Sequence, residues 1–387
     1  ETTENNDLSK SSESITVDES IAEDILATQA DTAVVVGTVS DYLTAKGDAK
    51  LYNINLPAGV YLQAQLTTPA NADLDYDLYL LDAEGNILTG SDYYTYINGT
   101  AGTLPEALGY ITSGDTATYY LYVLASEGGS VSESFTLDYS VSTACDSYEI
   151  DESVRQALAF TYGAGGAYIE SRNLSSPIDN DWYVITVPSS RIYDKLKISA
   201  TTASTNTCSV EVYQNVASEG YQMKRVGSGN TISVSSGKYY IRVSNAKTME
   251  NFDDLDIQNY KLSITPILKA TGIVITDLKG SEGLNKVVNY PGYGAHFRTQ
   301  GSGTLTVYGV LTATDSSTGV TYAVGGEQIN GLYYSPAWEA NNTSANAIRR
   351  GTGTTDSSGK FEIDISLPPG IGVYSYYGST STHYFDI

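Results

Sequence analysis

Apolar and polar residues alternate in short runs along most of this chain, the period-two pattern of strands with one face in a core. Leu51-Tyr52-Asn53-Ile54-Asn55-Leu56 alternates and stops at Pro57-Ala58-Gly59, a turn. Runs at 34–39, 60–66, 77–82, 119–124 and 134–141 read as neighbouring strands, with Ala83-Glu84-Gly85-Asn86 as a tight turn. Ile21, Ile25 and Leu26 break the alternation. Their spacing predicts a short helical turn capped by Asp18 or Ser20, with a counterpart at 154–160. Residues 1–14 offer almost nothing to bury and read as a flexible acidic leader whose first residues look like a mature or trimmed start.

The pattern is written twice. Thr16-Val17-Asp18-Glu19-Ser20-Ile21-Ala22 returns as Glu149-Ile150-Asp151-Glu152-Ser153-Val154-Arg155, and Asp48-Ala49-Lys50-Leu51-Tyr52 as Asp179-Asn180-Asp181-Trp182-Tyr183. Tyr119-Tyr120-Leu121-Tyr122-Val123 returns as Tyr239-Tyr240-Ile241-Arg242-Val243, and Phe135-Thr136-Leu137 as Tyr260-Lys261-Leu262. A repeat of about 130 residues is too long for a solenoid unit and implies a duplicated domain. The stretch after about residue 269 does not match but is also β, with strands expected at 272–278, 305–314, 360–367 and 371–377, and a long loop at 325–352. The expected fold is all-β: a leader (1–14) and three consecutive antiparallel β-sandwiches at 15–143, 144–268 and 269–387.

Composition narrows the partners. The 387 residues carry a formal charge of −24 with only 21 Lys and Arg. Such a surface repels phosphate backbones and anionic lipid, which argues against nucleic acid and direct membrane insertion, while it concentrates cations. There is no run of 18 apolar residues. Tyrosine is abundant, 33 against 6 Phe and 2 Trp. Tyr93, Tyr94, Tyr96, Tyr333, Tyr334 and Trp338 cluster in expected loops, either as a stacking platform for sugars or peptides or as ordinary strand and turn packing. Catalysis finds little support: the histidines are His296 and His383, and Gly-x-Ser-x-Gly and His-Glu-x-x-His are absent. Two cysteines, Cys145 and Cys208, either pair, closing a loop of about 63 residues that the chain-entropy model values at roughly 4 kcal/mol, or stand as free thiols.

Four features in order resemble the bacterial pre-peptidase C-terminal domain, a β-sandwich appended to secreted peptidases and other exported proteins. They are the acidic opening Asp146-Ser147-Tyr148-Glu149-Ile150-Asp151-Glu152-Ser153, the strand Asp179-Asn180-Asp181-Trp182-Tyr183, the strand and turn Asp75-Tyr76-Asp77-Leu78-Tyr79-Leu80-Leu81-Asp82-Ala83-Glu84-Gly85, and Gly237-Lys238-Tyr239-Tyr240-Ile241-Arg242-Val243. Each copy shows most of them, which implies two jelly-roll-like sandwiches of this type. Two departures stand out: Lys50 replaces an acidic position in the first copy, and Ser209-Val210-Glu211-Val212 replaces the Asp-rich strand in the second. The last domain resembles an immunoglobulin- or transthyretin-like Greek-key sandwich through Thr354-Thr355-Asp356-Ser357-Ser358-Gly359-Lys360-Phe361 and Leu367-Pro368-Pro369-Gly370.

The resemblance implies calcium as cofactor. In collagen-binding members of the family, acidic residues at such places hold calcium between linker and sandwich, which makes Glu149, Asp151, Glu152, Asp179 and Asp181 the candidate ligands here. Calcium takes six to eight hard oxygens, so several carboxylates must converge. The competing reading is a helix cap at Asp151 or Ser153 with the rest a solvated acidic rim. In the first copy Asp18, Glu19 and Asp48 remain, with Lys50 intruding. Asp73, Asp75 and Asp77 form a row expected on a solvent face. The expectation is a monomeric, non-catalytic protein, secreted or at the cell surface, that binds an extracellular glycan or protein. The alternative is an accessory or export region of a secreted peptidase or other hydrolase.

Overall fold

The computed structural model describes residues 13–14, 34–71, 73–92, 94–97, 100–101, 104–143, 145–202, 208–216, 222–228, 230–246, 249, 258–280, 284–290, 294–299, 303–333, 349–367, 377–378 and 384–386. The fold is all-β, with no α-helix among the described residues. In the first copy the strands are β1 (Glu13–Ser14), β2 (Val34–Asp41), β3 (Ala49–Leu56), β4 (Tyr61–Thr67), β5 (Asp75–Leu81) and β6 (Ile87–Ser91). They continue with β7 (Tyr94–Ile97), β8 (Thr100–Ala101), β9 (Glu106–Ile111), β10 (Ala117–Glu127) and β11 (Phe135–Ser142). The second copy holds β12 (Leu158–Ala159), β13 (Ala167–Leu174), β14 (Asn180–Val187), β15 (Tyr193–Thr202) and β16 (Cys208–Asn215). Its last strands are β17 (Gln222–Ser228), β18 (Thr231–Ser233), β19 (Gly237–Asn245) and β20 (Gln258–Leu268).

The two copies share one sheet order. The first copy stacks β1-β3-β10-β5-β6 on β2-β11-β4-β9; the second stacks β12-β14-β19-β16-β17 on β13-β20-β15-β18. Strand for strand the orders agree, including the short parallel pairs β1–β3 and β12–β14 that open each copy. Alternation then fills each interior. Tyr52, Ile54, Leu56, Leu62, Leu66, Leu78, Leu80, Leu121, Val123, Phe135 and Leu137 form the first core. In the second copy Tyr183, Ile185, Leu196, Ile198, Val212, Ile241, Val243, Leu262 and Ile264 are buried.

The two copies fall in one compact unit, and residues 188–195 with 266–387 form another. One strand crosses the repeat boundary inside the first unit: β7 pairs in parallel with β17, Met223 opposite Thr95, so the first copy extends the second copy's sheet. Leu104 of the first copy packs with Trp182, Tyr213 and Met223 of the second. Burying a residue such as Trp182 hides ~150–250 Å², about 4–6 kcal/mol at 25 cal/mol per Å².

In the second unit, Gly272–Gly280 and Lys360–Leu367 flank Gly303–Thr314 in one sheet, and Gln328–Tyr333 pairs with Arg349–Thr354 and Tyr384–Asp386 in another. Leu305, Val307, Leu311, Ile329, Phe361, Ile363 and Ile365 form its core.

Several expectations are corrected. The helical turn expected at 154–160 is a turn followed by β12, because Val154 buries its side chain and Leu158 joins β14 in parallel; its counterpart at Ile21–Leu26 lies outside the described residues. The loop expected at 325–352 contains strand at both ends. Asp77 is not on a solvent face: it is 7% exposed, and burial followed by repulsion from Asp75 pushes its carboxyl up to about 6.

Candidate metal centre

Three pieces of chain meet at the seam between the two copies. The linker carries Asp146, Glu149, Asp151 and Glu152. It lies against β4 of the first sandwich on one side and β14 of the second on the other. Backbone bonds fix its register: Trp182 N–H donates to Asp151 O (3.0 Å), and Asn180 N–H donates to Glu152 Oε2 (3.0 Å). A glycine makes the approach possible. A Cβ at Gly109 on β9 would stand 2.7 Å from Glu152 Cγ, 2.7 Å from Tyr61 Oη and 2.8 Å from Ile150 Cγ2.

Alternation along the segment Asp179-Asn180-Asp181 places both Asp side chains on one face, where they reach the linker carboxylates. Asp151, Glu152, Asp179 and Asp181 are all at most 1% exposed. Ligand oxygens of Glu149, Glu152 and Asp179 lie within 4.8 Å of one another, and so do those of Glu149, Asp151 and Asp181. The five residues singled out in the sequence thus form one cluster, with Glu149 half-buried and the other four buried, rather than a solvated rim.

The cluster contains one cation that sequence reasoning missed. Arg172 belongs to β13, whose register slips by a β-bulge between Ile169 and Arg172, with Ser171 at φ 62°. The left-handed region costs a non-glycine residue roughly 1–2 kcal/mol, and here the bulge accompanies an inward-facing arginine. Arg172 is 0% exposed. It places Nη1 2.6 Å from Asp146 Oδ1 and Nη2 2.5 Å from Asp151 Oδ2. Nη2 also lies 2.9 Å from Asp181 Oδ1, an ion-pair contact out of line for a hydrogen bond. Nε donates to the Tyr183 hydroxyl (2.7 Å), which meets the Tyr260 hydroxyl at 2.5 Å, and Tyr260 donates to Asp181 Oδ2. A ring of polar contacts therefore closes through Arg172, Tyr183, Tyr260 and Asp181. In the sequence Arg172 is marked only as the one basic residue of Ala167–Leu174.

Neutral donors serve the remaining acids incompletely. The Tyr61 hydroxyl sits between Glu149 Oε2 (2.9 Å) and Glu152 Oε1, and its one proton serves one of them at a time. Gln63 Nε2 donates to Glu152 Oε1 (2.8 Å), while Ser175 donates both N–H and Oγ–H (2.8 Å) to Asp179 Oδ2. Glu149 Oε1, Asp151 Oδ1, Asp179 Oδ1 and Asp181 Oδ1 are buried with no hydrogen-bond donor from the protein, as is Gln63 Oε1. At an effective dielectric of about 20, two ionised carboxylates within 4.8 Å repel by at least about 3 kcal/mol. Burial, then Asp179, pushes Glu149 up to about 7. Burial likewise raises Asp151, Glu152 and Asp181 far above the carboxylate range, with Asp181 acting on Asp151, and Asp179 on Glu152 and Asp181. Without a further cation, burial and mutual repulsion favour protons on the cluster; with one it has hard-oxygen ligands already assembled. Both triads consist of Asp and Glu alone, a donor set that suits calcium rather than zinc or copper.

The cysteines and aromatics resolve differently. Cys145 and Cys208 are separate thiols, so the disulfide considered from the sequence is not formed. Each faces carboxylates: burial and then Glu149 raise the Cys145 thiol, and burial and then Asp181 push Cys208 up to about 12. Tyr94 and Tyr96 lie in β7, and Tyr333 ends the strand Gln328–Tyr333, so their backbones are hydrogen-bonded strand rather than free loop. Tyr93, Tyr334 and Trp338 lie outside the described residues, as do Asp18, Glu19 and His383.

No family model matches the chain. A stretch of 50 residues, 13% of the chain, is 44% identical to the uncharacterized protein YlqB of Bacillus subtilis (strain 168) and corresponds to 31% of that protein. The chain therefore spans about a third of the curated relative it matches. Among solved structures it is similar to the tandem CBM22 domains of Paenibacillus barcinonensis Xyn10C (12% identity, covering 62% of this chain and 92% of that one, TM-score 0.19). It is also similar to the CUB1-EGF-CUB2 domains of human MASP-1/3 (11%, 60% and 99%, TM-score 0.18). A third is Aeromonas hydrophila PliG, a periplasmic inhibitor of g-type lysozyme (11%, 30% and 89%, TM-score 0.18). At such TM-scores these likenesses carry no argument about function. Among the described residues no helix is long and apolar enough to cross a membrane.

Proposed function

We propose that this is an exported, non-catalytic binding protein in which calcium stiffens the seam between two sandwiches of the pre-peptidase C-terminal type. The observation that carries the reading is the set of four buried carboxylate oxygens without donors, gathered from Glu149, Asp151, Asp179 and Asp181 where linker and both sandwiches meet. Asp151, Asp179 and Asp181, at most 1% exposed, do not meet a polymeric substrate, which favours holding an ion over hydrolysis. Calcium bound there ties the linker to β14 directly and fixes β4 through Tyr61 and Gln63. The stiffened pair then presents its outer faces and loops to an extracellular glycan or protein, and the −24 charge keeps polyanions away.

Differential scanning calorimetry with 2 mM calcium against excess chelator tests the metal. Saturation at about 100 times the dissociation constant adds ~2.7 kcal/mol, a rise of roughly 5–10 °C for a unit of this size. Equal melting temperatures in the two buffers would remove the metal from this reading. A glycan and matrix-protein binding screen run in both buffers tests the binding role.

A further inference from the structure

The two carboxylate triads share Glu149 but differ in what already serves them. The triad of Glu149, Asp151 and Asp181 includes the two carboxylates bridged by one guanidinium nitrogen, Arg172 Nη2, at 2.5 and 2.9 Å. Arg172 is itself fixed from three further directions, by Asp146 at Nη1, by the Tyr183 hydroxyl at Nε, and by the Tyr148 ring 5.1 Å from its Cζ. It is fully buried, so moving it aside for an ion would break all of these contacts. The triad of Glu149, Glu152 and Asp179 has only neutral donors: the Tyr61 hydroxyl, the Gln63 amide, the Asn180 N–H, and the Ser175 N–H and hydroxyl. No Lys or Arg of the described residues forms an ion pair with Glu152 or Asp179.

Resting on the reading that this cluster binds calcium, we infer that its two carboxylate sets take different cations: Arg172 is the resident cation of the Asp151–Asp181 side, and one exchangeable calcium goes to Glu149, Glu152 and Asp179. Arg172 thereby sets the stoichiometry. A guanidinium spreads its charge over a planar fork of donors and pairs two carboxylates at once, as a divalent ion between them does. It leaves Glu149, Glu152 and Asp179, where Glu149 Oε1 and Asp179 Oδ1 have no donor, for one ion. A second dication on the other side requires that the arginine charge be gone.

Isothermal titration of the full chain with calcium reads this out. The wild type is expected to bind one ion, R172K one, and R172M two. Glu152→Gln is expected to weaken calcium at least about tenfold, while Asp181→Asn changes affinity less than about threefold. A wild type that binds no calcium overturns the reading beneath this inference. A wild type that binds two, or an R172M that still binds one, overturns the inference and leaves that reading standing. Should R172M fail to fold, the wild-type count and the contrast between E152Q and D181N decide. Equal losses in those two variants, or a larger loss in D181N, would show that calcium uses the Arg172 side.

Discussion

The same place in the two sandwiches holds an ion pair of opposite polarity. Register equates the positions: Asp41 faces Phe135 in the first copy as Arg172 faces Tyr260 in the second, and Lys50 faces Val123 as Asp181 faces Val243. In the first copy the cation is on the inner strand, with Lys50 Nζ 2.8 Å from Asp41 Oδ2 and Tyr52 donating to the same carboxylate at 2.8 Å. In the second the cation is on the neighbouring strand, and Tyr183 accepts where Tyr52 donates. The Asp ahead of each inner strand is conserved in detail: Asp48 takes the N–H and hydroxyl of Thr44 as Asp179 takes those of Ser175. One scaffold therefore supports two outcomes. The first pair is partly exposed, 31% for Lys50 and 19% for Asp41. The second is buried and oversupplied with acid, because the linker adds Glu149, Asp151 and Glu152 to it. Among the described residues, one frame carries an ordinary ion pair in the first copy and a candidate metal centre in the second.

The largest expected difference is between charge removals at these equivalent positions. Arg172→Met leaves Asp146, Asp151 and Asp181 buried without their cation and should cost about 3–5 kcal/mol in chelator. Lys50→Met should cost less than about 1 kcal/mol, because water screens Asp41. Urea-unfolding midpoints measure both, and comparable losses would end the contrast. Next in size is Gly109→Ala, which pushes a methyl into Glu152, Tyr61 and Ile150 and should cost roughly 1–3 kcal/mol, with weaker calcium binding in the same preparation. An unaffected midpoint and affinity would mean that the linker does not sit tightly on β9.

The smallest effect is a pH dependence of the calcium gain, which arises in the second copy. Glu149 is raised from 4.5 to about 7 in the fold. Its protonated form stabilises the ion-free protein fully below pH 4.5, and that stability is lost as pH rises through about 7. Calcium displaces the proton, so the melting-temperature gain from calcium should grow by a few degrees between pH 5.5 and 8. Asp41 shifts the other way: burial opposes ionisation, but Lys50 and the Tyr42 N–H outweigh it and lower the carboxyl below 3.8. Stability from Asp41 is present above pH 3.8 and lost only as pH falls through its lowered value, so Asp41 adds no slope in that window; Asp77, pushed up to about 6, adds one of its own, but equally in calcium and in chelator. A calcium gain that is flat with pH would show that Glu149 is not displaced by the ion.

Much of this was legible in the residues. Alternation located most strands of the duplicated unit to within a few positions, and the paired acids of 179–181 with the acidic linker named five members of the cluster. What stayed hidden was long-range. Tyr61 and Gln63 reach Glu152 across some ninety positions of chain, and nothing local marks them as partners. Arg172 is turned inward by a bulge at Ser171, and a bulge shifts the alternation on which strand reading depends. The Tyr93–Tyr96 cluster suggested a loop because its partner, β17, is contributed by the other copy. Val154 fitted a helical spacing because Val154, Ala157, Leu158 and Phe160 are buried or half-buried, although a turn and a two-residue strand place them there.

The loan of β7 to the neighbouring sheet has a practical side. Anyone expressing the halves separately would cut near residue 143, where the sequence similarity restarts. That cut strips β17 of its hydrogen-bonded neighbour and bares a flat edge ready to capture another chain. It also strands Leu104 away from Trp182, Tyr213 and Met223. The halves look like separable beads on a string, yet the smallest piece that keeps its edges covered is the pair.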